Sequence, residues 1–313
     1  MRPERTASGW RAYGPDELAR AAEIVALRSL GFSLAQVERV LSGVADGLEP
    51  ALASLQARLE VEFGQLGLRL DKVRGLRRAL ARGEIPAAKD LAGLMPASPA
   101  PIATFDLPWP WGGERFEVRD VRALNYIVGP LGSGKTTLAK MLARRLPEAV
   151  FLGLERIEQQ GEARPALEAD PVLRERVEAV LAWLSEDGAR VSDALIALVV
   201  GLEQNRSNTL VIDMIEQGLD EAAQHAVIAH LRRRGPDCRP LFMLTRSSVI
   251  LDLSAATPQE MVIFCPANHS PPFKVHLEPG APGYDALASC LGPPEVRART
   301  EGMIAAMPQR MGT

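Results

Sequence analysis

The chain lacks any stretch that would carry it across a bilayer as a helix. No apolar run among its 313 residues approaches the roughly 18 needed to span one, and no charged-then-apolar leader opens it, so a cytosolic location is expected. Cysteine is scarce: Cys238, Cys265 and Cys290 are few and odd in number, which argues against a disulfide framework. A net charge of −3 gives no global pull toward nucleic acid, but it averages two unlike parts. Residues 1–94 hold 14 Lys or Arg against 12 Asp or Glu, and the remainder is acidic. Lysine is sparse beside arginine, a bias that genomic base composition explains as well as function does. No internal repeat is visible. What remains is a 47% hydrophobic chain, long enough for two domains with real cores.

The most specific stretch is GPLGSGKTT at 129–137, which fits the phosphate-binding pattern G-x-x-x-x-G-K-[ST]. Gly129, Gly132 and Gly134 let the backbone turn tightly and aim successive N–H groups, with that of Ser133, at phosphate oxygens that a side chain would block. Lys135 is placed to reach the β and γ phosphates, Thr136 to hold Mg²⁺, and Thr137 to continue the cradle into the helix. The apolar run ALNYIV before the loop reads as a buried strand, and TTLAKMLARRL after it reads as a helix. A nucleoside triphosphate, ATP with Mg²⁺, is the expected ligand.

Prolines divide the chain. Pro86, Pro96, Pro99, Pro101, Pro108 and Pro110 crowd the stretch from residue 85 to 111, where a semi-rigid linker is expected over 85–108. Before it, over 1–84, the pattern is helical; after it, over 109–313, apolar runs alternate with helical segments in the α/β manner. Leu48, Leu52, Leu55, Leu59, Phe63, Leu66, Leu70, Val73 and Leu80 recur at spacings of three, four or seven. A seam sustained over about four heptads predicts an antiparallel coiled coil between two subunits through residues 48–80, with packing inside one chain as the alternative. Gly64 and Gly67 weaken that helix locally by about 1 kcal/mol each relative to alanine.

Upstream of the seam, Arg5, Ser8, Gly9, Trp10, Arg11 and Tyr13, followed by Asp16, Leu18, Gly31, Phe32, Ser33, Leu34, Val37 and Leu41, resemble the MerR family of bacterial transcription regulators. The resemblance implies a basic wing and an antiparallel dimerisation helix, with Arg5, Arg11 and Tyr13 on DNA phosphates and Ser33 capping the second helix. A recognition helix that would precede the wing is not present ahead of it. For the chain as given, weak, sequence-independent DNA contact is therefore the expectation; either the start is assigned late or the module serves dimerisation alone.

The strand-like TLVID ends in Asp213, an acid placed for Mg²⁺, and Gly218, Leu219 and Asp220 follow at the spacing that ABC-type ATPases show. The similarity spans about residues 105–300. It implies that Asp213, Glu216 and Arg246 form the catalytic or sensing set, with Arg246 where the family has a histidine. It also matches LSEDG at 184–188 to the family signature through Leu184 and Ser185, assigns Gln159 or Gln160 as a linking glutamine, and offers Trp109 or Trp111 for adenine. Met214 stands where the water-activating acid belongs, and a thioether does no general-base work, so slow or no hydrolysis is expected. Only 48 residues separate Thr137 from Ser185, too few for a full ABC helical subdomain.

Taken together these features predict an α/β P-loop NTPase domain with an N-terminal all-α helical dimerisation module, acting as a nucleotide-responsive regulator. The alternative is a nucleotide or small-molecule kinase, for which Arg156, Arg164, Arg174 and Arg176 would have to build a lid. Cys265, His269 and His276 lack the paired spacing of a zinc site. The run Arg232 to Arg234 suits a helix C-terminus and solvent.

Overall fold

Two patterns of hydrophobic spacing produce two compact units, residues 1–100 and 101–313. The computed structural model describes residues 4–5, 11–12, 14–29, 32, 34–44, 48–85, 87, 101–158, 160–204, 207–234, 238–257, 260–278 and 280–293.

Among its described residues the first unit is helical apart from one small hairpin. Strand β1 (Glu4–Arg5) pairs antiparallel with β2 (Arg11–Ala12), and Arg5 lies opposite Arg11, the wing expected from the sequence. Tyr13, Ser33 and the side chains of Arg5 and Arg11 lie outside the described residues. Helix α1 (Pro15–Ser29) starts with proline at its first position, where no N–H is needed, and Glu17 reaches back to accept from the Gly14 N–H at 2.9 Å. Helix α2 (Leu34–Leu41) packs on α1 over buried Phe32 and Val37, and Arg28 closes the turn by donating to the Phe32 carbonyl at 3.0 Å. Helix α3 (Leu48–Ala81) then runs for 34 residues, about 51 Å at helical rise, with Gly64 and Gly67 inside it. Its apolar stripe is open: Leu52, Leu59, Phe63, Leu66, Leu70 and Leu80 are all exposed, Phe63 at 78%.

The second unit is built on a six-stranded sheet of order β10-β9-β5-β8-β7-β6. Its strands are β5 (Leu124–Val128), β6 (Ala149–Leu152), β7 (Thr209–Ile212), β8 (Leu241–Leu244), β9 (Glu260–Phe264) and β10 (Phe273–Val275), parallel except for β10. Near-continuous apolar runs such as LNYIV and LFML suit strands covered on both faces. One face carries Leu124, Tyr126, Leu210, Ile212 and Met243 against α7 (Pro171–Glu186), α8 (Asp193–Glu203) and α9 (Glu221–Arg232). The other carries Ile127, Val211, Phe242 and Leu244 against α4 (Lys135–Arg145) and a separate hairpin of β3 (Ala103–Asp106) and β4 (Arg115–Val118).

That hairpin corrects the linker reading. Residues 103–106 lie within the stretch 85–108, yet they form a strand, because Ala103, Phe105 and Leu107 alternate inward onto the α4 side of the core. The run after α9 is corrected as well. Arg232 donates to the buried carboxylate of Glu260 at 3.0 and 3.2 Å, Glu260 accepts from the Tyr126 hydroxyl at 2.7 Å, and the Arg233 guanidinium stacks 4.6 Å from the Trp183 ring. The glutamate at the head of β9 draws Arg232 inward, so Arg232 ties α9 to the sheet, while Arg233 is exposed and rests on α7.

Candidate functional site

Parallel strands bring their C-terminal ends to one edge, where ligands of open α/β sheets bind. From β6 to β9 that edge presents, in order, Gly153, Asp213, Thr245, Gly129 and Cys265. Because β8 lies between β5 and β7, Arg246 leaves the sheet between the glycine loop and the acid.

The glycine loop has the conformation its composition requires. Gly132 and Gly134 take φ of +80° and +88°. A Cβ on Gly129 would lie 2.3 Å from the Cys265 carbonyl oxygen, and one on Gly134 would lie 2.8 Å from the Trp111 ring. The loop is thus held from both sides, and His269 adds a 3.0 Å contact between its Nε2 and the Gly132 carbonyl.

Lys135 opens α4 and is buried. Its Nζ donates to the carbonyls of Gly129 at 2.8 Å and Pro130 at 2.6 Å, which leaves one of its three donors for an incoming anion. Burial lowers its pKa to about 8. Thr136 is exposed at the mouth, and its hydroxyl lies 3.5 Å from Oδ1 of buried Asp213. Burial raises the Asp213 pKa, opposed by the Thr136 hydroxyl and the Arg156 charge. A hydroxyl and a carboxylate are the hard oxygen donors Mg²⁺ takes, so the pair fits that ion. Thr137 is half-buried behind it, and the Ser133 side chain is buried inside the loop.

The remaining predicted residues are arranged as follows. Glu216 is buried, and its Oε1 accepts the backbone N–H of Arg246 at 2.9 Å, fastening the turn after β7 to the end of β8. Arg246 is half-buried, and its charge bears on Lys135. Asp220 caps α9, accepting from the Ala223 N–H at 2.8 Å. Gln224 reaches the Leu219 carbonyl at 2.8 Å and accepts from the Ser247 hydroxyl at 2.7 Å, a second tie between those turns. Trp111 belongs to the core, while Trp109 is exposed. Leu184 and Ser185 lie near the C-terminal end of α7, with Leu184 in the core; it is Ser192 that caps a helix, accepting from the Leu195 N–H at 3.2 Å to start α8. Gln159 and the side chain of Gln160 lie outside the described residues.

Of the four arginines that a kinase lid would need, Arg156, Arg174 and Arg176 bond to backbone carbonyls, and Arg164 is exposed. Arg174 donates to the Leu167 carbonyl at 2.8 Å and Arg176 to that of Glu203 at 3.0 Å, so both hold helices together. Arg156 was passed over as a site residue by sequence reasoning. It lies on α5 (Glu155–Glu158), which follows β6, and its guanidinium bonds to the carbonyls of Gly153, Asp213 and Met214. No sequence pattern marks it, since its acceptors are backbone atoms of two strand ends.

Residues 1–44 match the family model of the MerR HTH family regulatory protein. Among solved structures, the chain is similar to MJ1267, an ATP-binding cassette of an ABC transporter in its ADP conformation, at 13% identity and a TM-score of 0.40, over 65% of this chain and 100% of that one. It is similar to a nucleotide-free ATP-binding cassette from an ABC transporter at 14% identity and a TM-score of 0.40, with the same coverage. It is also similar to a bacterial Atm1-family ABC exporter with ATP bound, at 15% identity and a TM-score of 0.38, over 79% of this chain and 53% of that one. A search of curated proteins finds no match. The N-terminal segment is MerR-like, and the second unit is an α/β P-loop domain by its own loop and strand order.

Proposed function

We propose that this chain is an ATP-binding, ABC-like P-loop protein that acts as a nucleotide-responsive transcriptional regulator with slow or no hydrolysis. The observation that carries the reading is the triad of Lys135, Thr136 and Asp213. The lysine is fixed by two carbonyls with one donor spare, and the hydroxyl and carboxylate lie 3.5 Å apart at the same strand edge. Loop N–H groups and Lys135 would bind the phosphates, while Thr136 and Asp213 would hold Mg²⁺, which supplies charge neutralisation between the β and γ phosphates. Arg246, at the end of the strand between loop and acid, is the group suited to sense the γ phosphate.

Two features support slow turnover. Met214 offers no base beside Asp213, and Glu216 is buried with its Oε1 accepting the Arg246 N–H. Steady-state ATP turnover should stay well below the order of 10 per second common among enzymes, and a rate at that level contradicts the assignment.

The MerR-like segment supplies the regulatory half. In the reading proposed here, two chains pair through residues 48–80 and the wing arginines Arg5 and Arg11 rest on DNA phosphates. Charge along α3 favours the antiparallel pairing: Glu49, Glu60 and Glu62 with Arg58 leave its first half acidic, and Arg69, Lys72, Arg74, Arg77 and Arg78 with Asp71 leave its second basic. Among the described residues no helix is long and apolar enough to cross a membrane, in keeping with action in the cytoplasm. Nucleotide binding and DNA binding should then be coupled. Titrating duplex DNA with and without Mg·ATP should give different affinities for the wild type and equal ones for Lys135→Ala. Equal affinities in the wild type would remove the regulatory claim.

A further inference from the structure

The carboxylate that would share a metal with Thr136 sits at an awkward point in the chain. Asp213 directly follows β7, and the next residue, Met214, turns at φ +44°, a left-handed conformation that a side chain disfavours. Backbone bonds hold part of it: the Gln217 N–H donates to the Met214 carbonyl at 2.9 Å, and the Asp213 N–H donates to the Leu152 carbonyl of β6 at 2.9 Å. Arg156 spans the gap from the neighbouring strand. It is buried, and its Nη1 donates to the Gly153 carbonyl at 2.7 Å and to the Asp213 carbonyl at 2.8 Å, while Nη2 donates to the Met214 carbonyl at 2.7 Å. One acceptor belongs to the end of β6, one to the metal ligand's own residue and one to the strained residue after it. A guanidinium is a rigid planar fork, so this set fixes the spacing between two strand ends as a flexible ammonium cannot.

Resting on the Mg·ATP reading above, we infer that Arg156 is a positioning residue for the divalent cation: by tying the Asp213 and Met214 carbonyls to the end of β6, it keeps the Asp213 carboxylate where it and the Thr136 hydroxyl can share one ion. The guanidinium is engaged on backbone carbonyls, so its effect would pass through Asp213. The protein uses the same chemistry away from the site, which provides a control. Arg239 donates to the carbonyls of Gly201, Leu202 and Gln204, where it caps the end of α8.

The test is calorimetric titration of ATP into the full chain in EDTA and across a series of Mg²⁺ concentrations, for the wild type, Arg156→Met, Arg156→Lys and Arg239→Met. In EDTA all four should bind ATP within about twofold of one another, because the loop and Lys135 are intact. The Mg²⁺ concentration at half-effect should rise about tenfold or more in both Arg156 variants, the size of effect seen when a ligand-orienting partner is removed, and stay at the wild-type value in Arg239→Met. An unchanged midpoint in the Arg156 variants overturns the inference. So does an equal shift in Arg239→Met, which would mean general loosening, or full rescue by lysine, which would mean charge without geometry. Where Arg156→Met fails to fold, Arg156→Lys decides alone. The underlying site reading fails separately, if Lys135→Ala binds ATP as the wild type does.

Discussion

At the scale of single residues, the chemistry of the site turns on a lysine that is buried before its ligand arrives. With a pKa of about 8 in the free protein, Lys135 is charged below that pH and increasingly neutral above it. Bound phosphates would stabilise the charged form and raise the pKa again, so binding takes up a proton above pH 8. ATP affinity should be flat just below pH 8 and fall by up to about tenfold per unit above it. Stability of the free protein moves the other way: between pH 8 and the unfolded lysine value of 10.5 the unfolded state holds more protons, so this residue's contribution to stability rises with pH. Isothermal titrations from pH 7 to 9.5 test the first statement, and a pH-independent affinity would show that Lys135 does not titrate against the phosphates. The loop's conformation was legible in the sequence because its demands are local: glycine stands where φ is positive, at Gly132 and Gly134, and the helix begins at Lys135 directly after them. Arg156 was not, since its role is set by carbonyls 57 and 58 residues away in the chain.

At the scale of elements, α3 poses the clearest question. A 34-residue helix with Leu59 at 53% and Phe63 at 78% exposure leaves its stripe in water unless another helix covers it. Leu59→Asp should convert the full chain from dimer to monomer in sedimentation equilibrium, because the paired state would bury an unpartnered carboxylate on each side at a cost of several kcal/mol. A monomeric wild type would mean that the seam packs within one chain, and a variant that stays dimeric would place the interface elsewhere. The seam itself was readable, since heptad spacing survives without any knowledge of the fold. The β3–β4 hairpin was not, because proline density around it outweighed a short alternation of Ala103, Phe105 and Leu107. The LSEDG stretch falls at the end of α7, with Leu184 in the core, and Ser192 caps the helix that follows.

At the scale of the whole molecule, two units of different chemistry share one chain, a MerR-like helical segment and a P-loop α/β domain. Strand order does what sequence spacing alone did not: by inserting β8 between β5 and β7 it sets Arg246 between loop and acid, and by fastening Glu216 to Arg246 and Gln224 to Ser247 it links the turns that would respond to a phosphate. Everything regulatory in this reading depends on a nucleotide occupying the loop. Calorimetry of Mg·ATP with the wild type and with Lys135→Ala measures that most directly. Saturable binding by the wild type and none by the variant is the result expected. Equal binding by both would mean that the nucleotide, if it binds at all, is held somewhere other than residues 129–137.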